Sequence, residues 1–133
     1  MRDADRVVGD LYVGSASACP GFAGSRFVVH EGWPGRQPPC VCEWRPIAGK
    51  TPDYGENRPI VEIDSFLSIC REIDEASRNG PTLVHCHGGI ERSPLTVYGV
   101  LRVRGYSDET AWHAVISAHP QSQDRRHWLT RLP

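Results

Sequence analysis

Short β-branched runs punctuated by glycine and proline fill the first third of the chain. Arg6-Val7-Val8 and Leu11-Tyr12-Val13, split by Gly9-Asp10 and ended by Gly14-Ser15, predict two short strands or a hairpin. Arg26-Phe27-Val28-Val29-His30 predicts the next strand, before the turn-rich Gly32-Trp33-Pro34-Gly35. Val41 to Arg45 predicts another, with Cys42 and Trp44 alternating against Val41, Glu43 and Arg45 to give one covered face. Pro38-Pro39 blurs where it begins. Residues 46–59 hold three prolines, two glycines and no period, which makes them the main loop, and long loops in compact domains are often functional.

The period then changes. Ile63, Phe66, Leu67, Cys70, Ile73 and Ser77 recur at helical spacing, with Asp64, Arg71, Glu72 and Glu75 turned outward and Asn79-Gly80 closing the turn. Residues 82–86 form a buried strand. From Pro94 to about Arg104 the chain is apolar around most of a helix, through Leu95, Val97, Tyr98, Val100 and Leu101, and Gly105 ends it. Ser107 caps a further helix that carries Asp108 and Glu109 in its first turn and Ala111, Ala114, Val115 and Ala118 as its buried stripe. His119-Pro120 stops it, and Gln121 to Leu132 predicts a last short helix anchored by Trp128 and Leu129. Strands first, then strand and helix in alternation, then consecutive helices predict an α/β fold. Its central, mostly parallel sheet would have four to five strands flanked by helices.

At 133 residues, 39% of them hydrophobic, the chain predicts one domain with one core, spanning 1–133. A net charge of −1 argues against broad binding to nucleic acid or a membrane surface, so any anion recognition should be local. Fourteen of the fifteen basic residues are arginine, a bias attributed to genome composition. Five irregularly spaced cysteines do not make a disulfide framework and point to a reducing compartment. With no apolar run of about 20 residues and no hydrophobic core in the first residues, the expectation is a cytoplasmic protein.

Residues 85–93, His85-Cys86-His87-Gly88-Gly89-Ile90-Glu91-Arg92-Ser93, carry the chemistry. A thiol attacks as thiolate, which helix-end amides and nearby cations favour. Here a strand ends at His85-Cys86 and a helix begins near Pro94, so the segment joins a strand to a helix N-terminus. Five residues between Cys86 and Arg92 let the backbone curl with its N–H groups inward, and Gly88 and Gly89 ease the turn. Such a nest binds an anion. Arg92 would close it with a planar fork that fits two phosphate oxygens.

This His-Cys-x5-Arg-Ser motif resembles that of the cysteine-dependent protein tyrosine phosphatases, most closely their compact dual-specificity branch. Leu11-Tyr12-Val13-Gly14-Ser15 is similar to that branch's opening strand, and Arg92-Ser93-Pro94 through Arg104-Gly105-Tyr106-Ser107 to its continuation. The match is nearly continuous from residue 52 and weak over 15–50. The resemblance implies a single catalytic domain that forms a phosphocysteine on Cys86, with Arg92 and the amides of His87, Gly88, Gly89, Ile90 and Glu91 on the phosphate. Ser93 would hydrogen-bond the sulfur and ease its departure, while also capping the helix. His85, on the strand face opposite Cys86, would orient the loop rather than act as its base. Side chains at 87 and 91 occupy variable positions, and Glu91 disfavours a highly polyanionic substrate.

The leaving alcohol needs a proton, and a carboxylic acid on a mobile loop suits that role. Asp53 lies 33 residues before Cys86 on the long loop, and Pro52-Asp53-Tyr54-Gly55 resembles the family's acid-bearing segment. Asp64 competes at 22 residues upstream but falls in the first turn of a helix, and Glu56 ranks third. Gln121 and Gln123 are candidates to position water, or plain surface residues. Cys42 could form a protective disulfide with Cys86, although Cys42 and Cys70 also fit as small buried residues. The expected partner is a phosphorylated protein met by a monomer, with no cofactor, metal, nucleic acid or membrane.

Three rivals stand beside this reading. A structural zinc site could use Cys40, Cys42, His85, Cys86 and His87, but ligands one residue apart are not the usual knuckle and Arg92 is left unexplained. A non-catalytic phosphate-binding module of the same fold would not need both Cys86 and Arg92. Arsenate reductases and RNA triphosphatases share Cys-x5-Arg loops, the former usually near the N-terminus with further redox cysteines, the latter without need of Asp53.

Overall fold

The computed structural model describes residues 4–30, 43–46, 63–86 and 92–129. Within them β1 (Ala4–Val8), β2 (Leu11–Ser15), β3 (Ser25–His30), β4 (Glu43–Pro46) and β5 (Thr82–Cys86) form one sheet in the order β1-β2-β5-β3-β4. The helices are α1 (Ile63–Asn79), α2 (Arg92–Val103) and α3 (Asp108–Ala118). The Gly9-Asp10 split is a hairpin, since β1 and β2 pair antiparallel with an irregularity between Arg6 and Val8. The other three pairings, β2 with β5, β3 with β5 and β3 with β4, are parallel. The sheet is therefore mixed, and mostly parallel as the element pattern predicted.

Because side chains alternate across a strand, the sheet has two distinct faces. Leu11 and Val13, Phe27 and Val29, and Val84 and Cys86 turn to one side, where Phe66, Cys70 and Ile73 of α1, Leu95, Val97 and Leu101 of α2 and Val115 of α3 cover them. On the other side Leu83 packs with Ala4, Cys19, Tyr12 and Phe22, the last two meeting edge-on at 5.2 Å. The middle strand is thus covered on both faces, and all five residues of β5 are buried. A chain reversal before β3 brings Gly24 against Pro81. At φ +157 a Cβ on Gly24 would stand 2.3 Å from the Pro81 carbonyl oxygen, and that same carbonyl accepts the Ser25 N–H at 2.9 Å.

Helix ends follow the predicted chemistry. Gly105, at φ +101, closes α2 in a Schellman arrangement, in which Tyr106 N–H donates to Leu101 O and Gly105 N–H to Arg102 O, each at 3.0 Å. The Ser107 hydroxyl accepts the Thr110 N–H at 3.3 Å and caps α3, with Asp108 and Glu109 in the first turn. Two boundaries differ from expectation. Helix α2 starts at Arg92, so Pro94 is its third residue; proline is tolerated throughout the first turn because N–H groups there lack helical partners. The helix expected over 121–132 is, among the described residues, only a 3-10 turn at Arg126–Trp128. Asp124 Oδ1 takes the Arg126 N–H at 3.0 Å, a local bond that competes with helix formation. Leu129 is nevertheless a buried anchor. Among the described residues no helix is long and apolar enough to cross a membrane.

Candidate active site

Cys86 ends β5, the third of the five strands, and is 5% exposed. Parallel sheets place their ligands beyond the carboxyl ends of such strands. Helix α2 opens at Arg92, and the sulfur lies against its N-terminus. The Ser93 N–H donates to Cys86 Sγ at 3.4 Å, as an orphan N–H of a first helical turn is free to do. The Ser93 hydroxyl lies 3.4 Å from the same sulfur and donates to the Gly14 carbonyl oxygen at 3.1 Å. With Cys86 as a thiol, the S–H donates to the Ser93 hydroxyl, which in turn donates a hydrogen bond to the Gly14 carbonyl. With a thiolate, the sulfur becomes an acceptor, and the hydroxyl can turn to it by giving up Gly14.

Gly14 arrives by register. Ser15 pairs with Cys86 and Gly14 with His85, so the end of β2 lies alongside the end of β5. The sequence marks Leu11 to Ser15 as a strand but carries no local sign of its contact with Ser93, which spans 79 residues of chain. Arg92 is half-buried and makes no hydrogen bond or ion pair among the described residues, while its carbonyl is held by Thr96 Oγ1 at 2.7 Å.

His85 sits on the opposite face of β5 from Cys86, as strand alternation predicted, and is fully buried. Burial lowers its pKa below the ordinary value near 6.5, and the nearby Arg26 charge adds to that, against a hydrogen bond with the Cys86 backbone. It is a neutral imidazole at physiological pH. Asp64 falls in the first turn of α1 and is exposed. Gln121 and Gln123 are exposed, and Gln123 accepts from Arg125 at 2.6 Å. Cys70 lies in the α1–α2 contact, where its Sγ reaches Thr96 O at 3.7 Å; burial raises its pKa far above the ordinary thiol range, against a small opposing effect of Arg71. Asp53, Glu56, Cys40, Cys42, His87, Gly88, Gly89, Ile90 and Glu91 lie outside the described residues.

No protein-family model matches this chain, and no curated protein does. Solved structures do. A mouse structure assigned to the dual-specificity phosphatases and solved with zinc tungstate is 25% identical, over 99% of this chain and 85% of its own, with a TM-score of 0.72. The chain is built on the compact dual-specificity branch of the protein tyrosine phosphatase fold. Human DUSP28 is 28% identical over 99% of this chain and 91% of its own, with a TM-score of 0.70. Tk-PTP, solved in its active form, is similar in fold, at 21% identity and a TM-score of 0.67 over 96% of this chain and 91% of its own. The likeness to these structures covers nearly the whole length of the chain.

Proposed function

We propose that this chain is a phosphomonoester hydrolase acting on phosphorylated proteins, on phosphotyrosine and, where a shallow site admits them, on phosphoserine and phosphothreonine. It would work as a single catalytic domain over 1–133, as a cytoplasmic monomer without cofactor. The observation that carries this reading is the Cys86 sulfur at the carboxyl end of the central strand, held by the Ser93 N–H and hydroxyl at the head of α2. The likeness to dual-specificity phosphatases supports it.

In the proposed reaction the Cys86 thiolate attacks phosphorus and an S–P bond forms as the ester P–O bond breaks. The bonding pair leaves on the ester oxygen, which takes a proton from Asp53. Water then attacks phosphorus and gives its proton to Asp53, and the S–P bond breaks to return the thiolate, eased by the Ser93 hydroxyl. Arg92 and the amides of residues 87–91 stabilise the charge on the equatorial oxygens. His85, neutral and buried, holds the strand end in place behind them.

Turnover of an aryl phosphate tests the reading. Wild-type protein should hydrolyse it and retain a phosphoryl group on Cys86 when quenched early, and Cys86→Ser should show neither. Wild-type protein without turnover would leave a phosphate-binding module instead. Asp53→Asn should lower kcat about 10²–10⁴-fold and remove the basic limb of its pH profile. A retained limb with unchanged kcat would take the acid role from Asp53. The ratio of kcat/KM on phosphotyrosine and phosphothreonine peptides decides the substrate class.

A further inference from the structure

The end of the sheet opposite Cys86 holds a cavity of about 490 Å³ lined by Arg6, Gly9, Asp10, Ser77, Arg78 and Arg104. Asp10 precedes β2 and its carbonyl accepts the Thr82 N–H at 2.7 Å, so the cavity lies where β5 begins. At about 3.3 Å per residue, the strand then runs about 13 Å to Cys86.

Three guanidiniums converge there, from β1, from α1 and from the residue that follows α2. Asp74 divides its carboxylate between two of them, Oδ1 accepting Arg104 Nε at 2.6 Å and Oδ2 accepting Arg78 Nε at 3.1 Å. Buried Ser77 accepts Arg104 Nη2 at 2.5 Å and donates to the Asp74 carbonyl at 2.8 Å, which fixes the Arg104 fork in place. Arg6 Nε donates to Gly9 O at 2.7 Å. Each arginine is thus anchored by its inner edge. Both terminal nitrogens of Arg6 and of Arg78, and Nη1 of Arg104, have no acceptor among the described residues.

Three cations against the carboxylates of Asp10 and Asp74 leave an excess of one positive charge. The C-termini of α1 and α2 account for a cation near each, Arg78 and Arg104. They do not account for Arg6, which comes from β1, nor for the open cavity between the three. We propose that this cavity binds a phosphate group, free or as a monoester, because guanidinium forks held by their Nε edges present donor pairs that match phosphate oxygens.

The test reads the arginine Nε–Hε resonances of the whole protein while inorganic phosphate, and separately an alkyl phosphomonoester, is added at constant ionic strength. Saturable shifts at Arg6, Arg78 and Arg104 are expected, and the tighter ligand identifies the source of the phosphate. Arg6→Gln with Arg78→Gln, both exposed positions, should weaken binding read at Arg104 at least about ten-fold, because each loses a charge-assisted pair. The same double variant should leave aryl phosphate turnover unchanged in phosphate-free buffer, which separates this site from that of Cys86. Shifts that fail to saturate, that chloride reproduces, or that the double variant leaves intact would overturn the proposal.

Discussion

Gly99 sets how closely α1 and α2 approach. A Cβ there would stand 2.6 Å from Cys70 Sγ and from two ring carbons of Phe66, distances real Cβ atoms do not show. Phe66 and Cys70 are fully buried and have nowhere to move, so Gly99→Ala should cost about 1–3 kcal/mol through overpacking. The measurement is a lower urea midpoint with an unchanged m-value; an unchanged midpoint would mean that the contact relaxes freely. The same crowding bears on Cys70. It serves as a small buried residue in a helix contact, with its thiol kept protonated by burial. At the residue scale the approach of Ser93 to Cys86 was legible in sequence, because a strand that ends at 86 and a helix that begins near 94 bring the two together. The Gly14 carbonyl was not, since it comes through the register of two strands far apart in the chain.

Between elements, the ties differ sharply in worth. Asp74 joins α1 to the residue that follows α2, and Arg104 at that junction is only 18% exposed, whereas Arg78 on the other carboxylate oxygen is 65% exposed. Asp74→Asn should therefore destabilise by about 1–3 kcal/mol, since it weakens a charge-assisted bond to a half-buried cation. Arg78→Ala should stay within about 0.5 kcal/mol, as solvent-screened pairs do. Chemical denaturation of the two variants side by side checks the contrast, and equal effects would sink it. A similar cluster fastens the last described turn. Tyr98 donates to Asp108 at 2.6 Å, and Arg126 reaches Asp108, Asp124 and the Trp112 ring. These side-chain ties replace the helix that Gln121 to Leu132 suggested, which shows why composition alone misjudged that stretch. Existing elements were otherwise legible from their periods, because apolar residues at i, i+3 and i+4 or in β-branched runs must face a core. Strand order was not, because β5 enters between β2 and β3 through pairings that leave no local mark.

For the molecule as a whole, His85 sets a pH dependence. Its folded pKa lies below its ordinary value near 6.5, chiefly through burial. Above that value neither state carries the proton, and stability is unaffected. Below it the unfolded chain takes up a proton that the folded one refuses, so stability falls as pH falls, by up to about 1.4 kcal/mol per unit until the depressed folded value is reached. The loss should appear in denaturation midpoints measured from pH 7.5 down to 5. The His85 ring should remain neutral by NMR below pH 6.5; a ring that titrates at its ordinary value would remove this contribution.

The position of β5 also governs how the protein comes together. Among the described residues the β1–β2 hairpin and the β3–β4 pair are joined by strand pairing only through β5, which follows both in the chain. The sheet is not continuous until that strand inserts, and its pairings close long loops, which favours a slow step. Because the inserting strand ends in Cys86, no half-joined sheet can hold a formed site. In refolding experiments catalytic activity should return only in the phase that completes the sheet, with no active intermediate before it. Cys86 is thus carried by the strand that joins the two halves of the sheet.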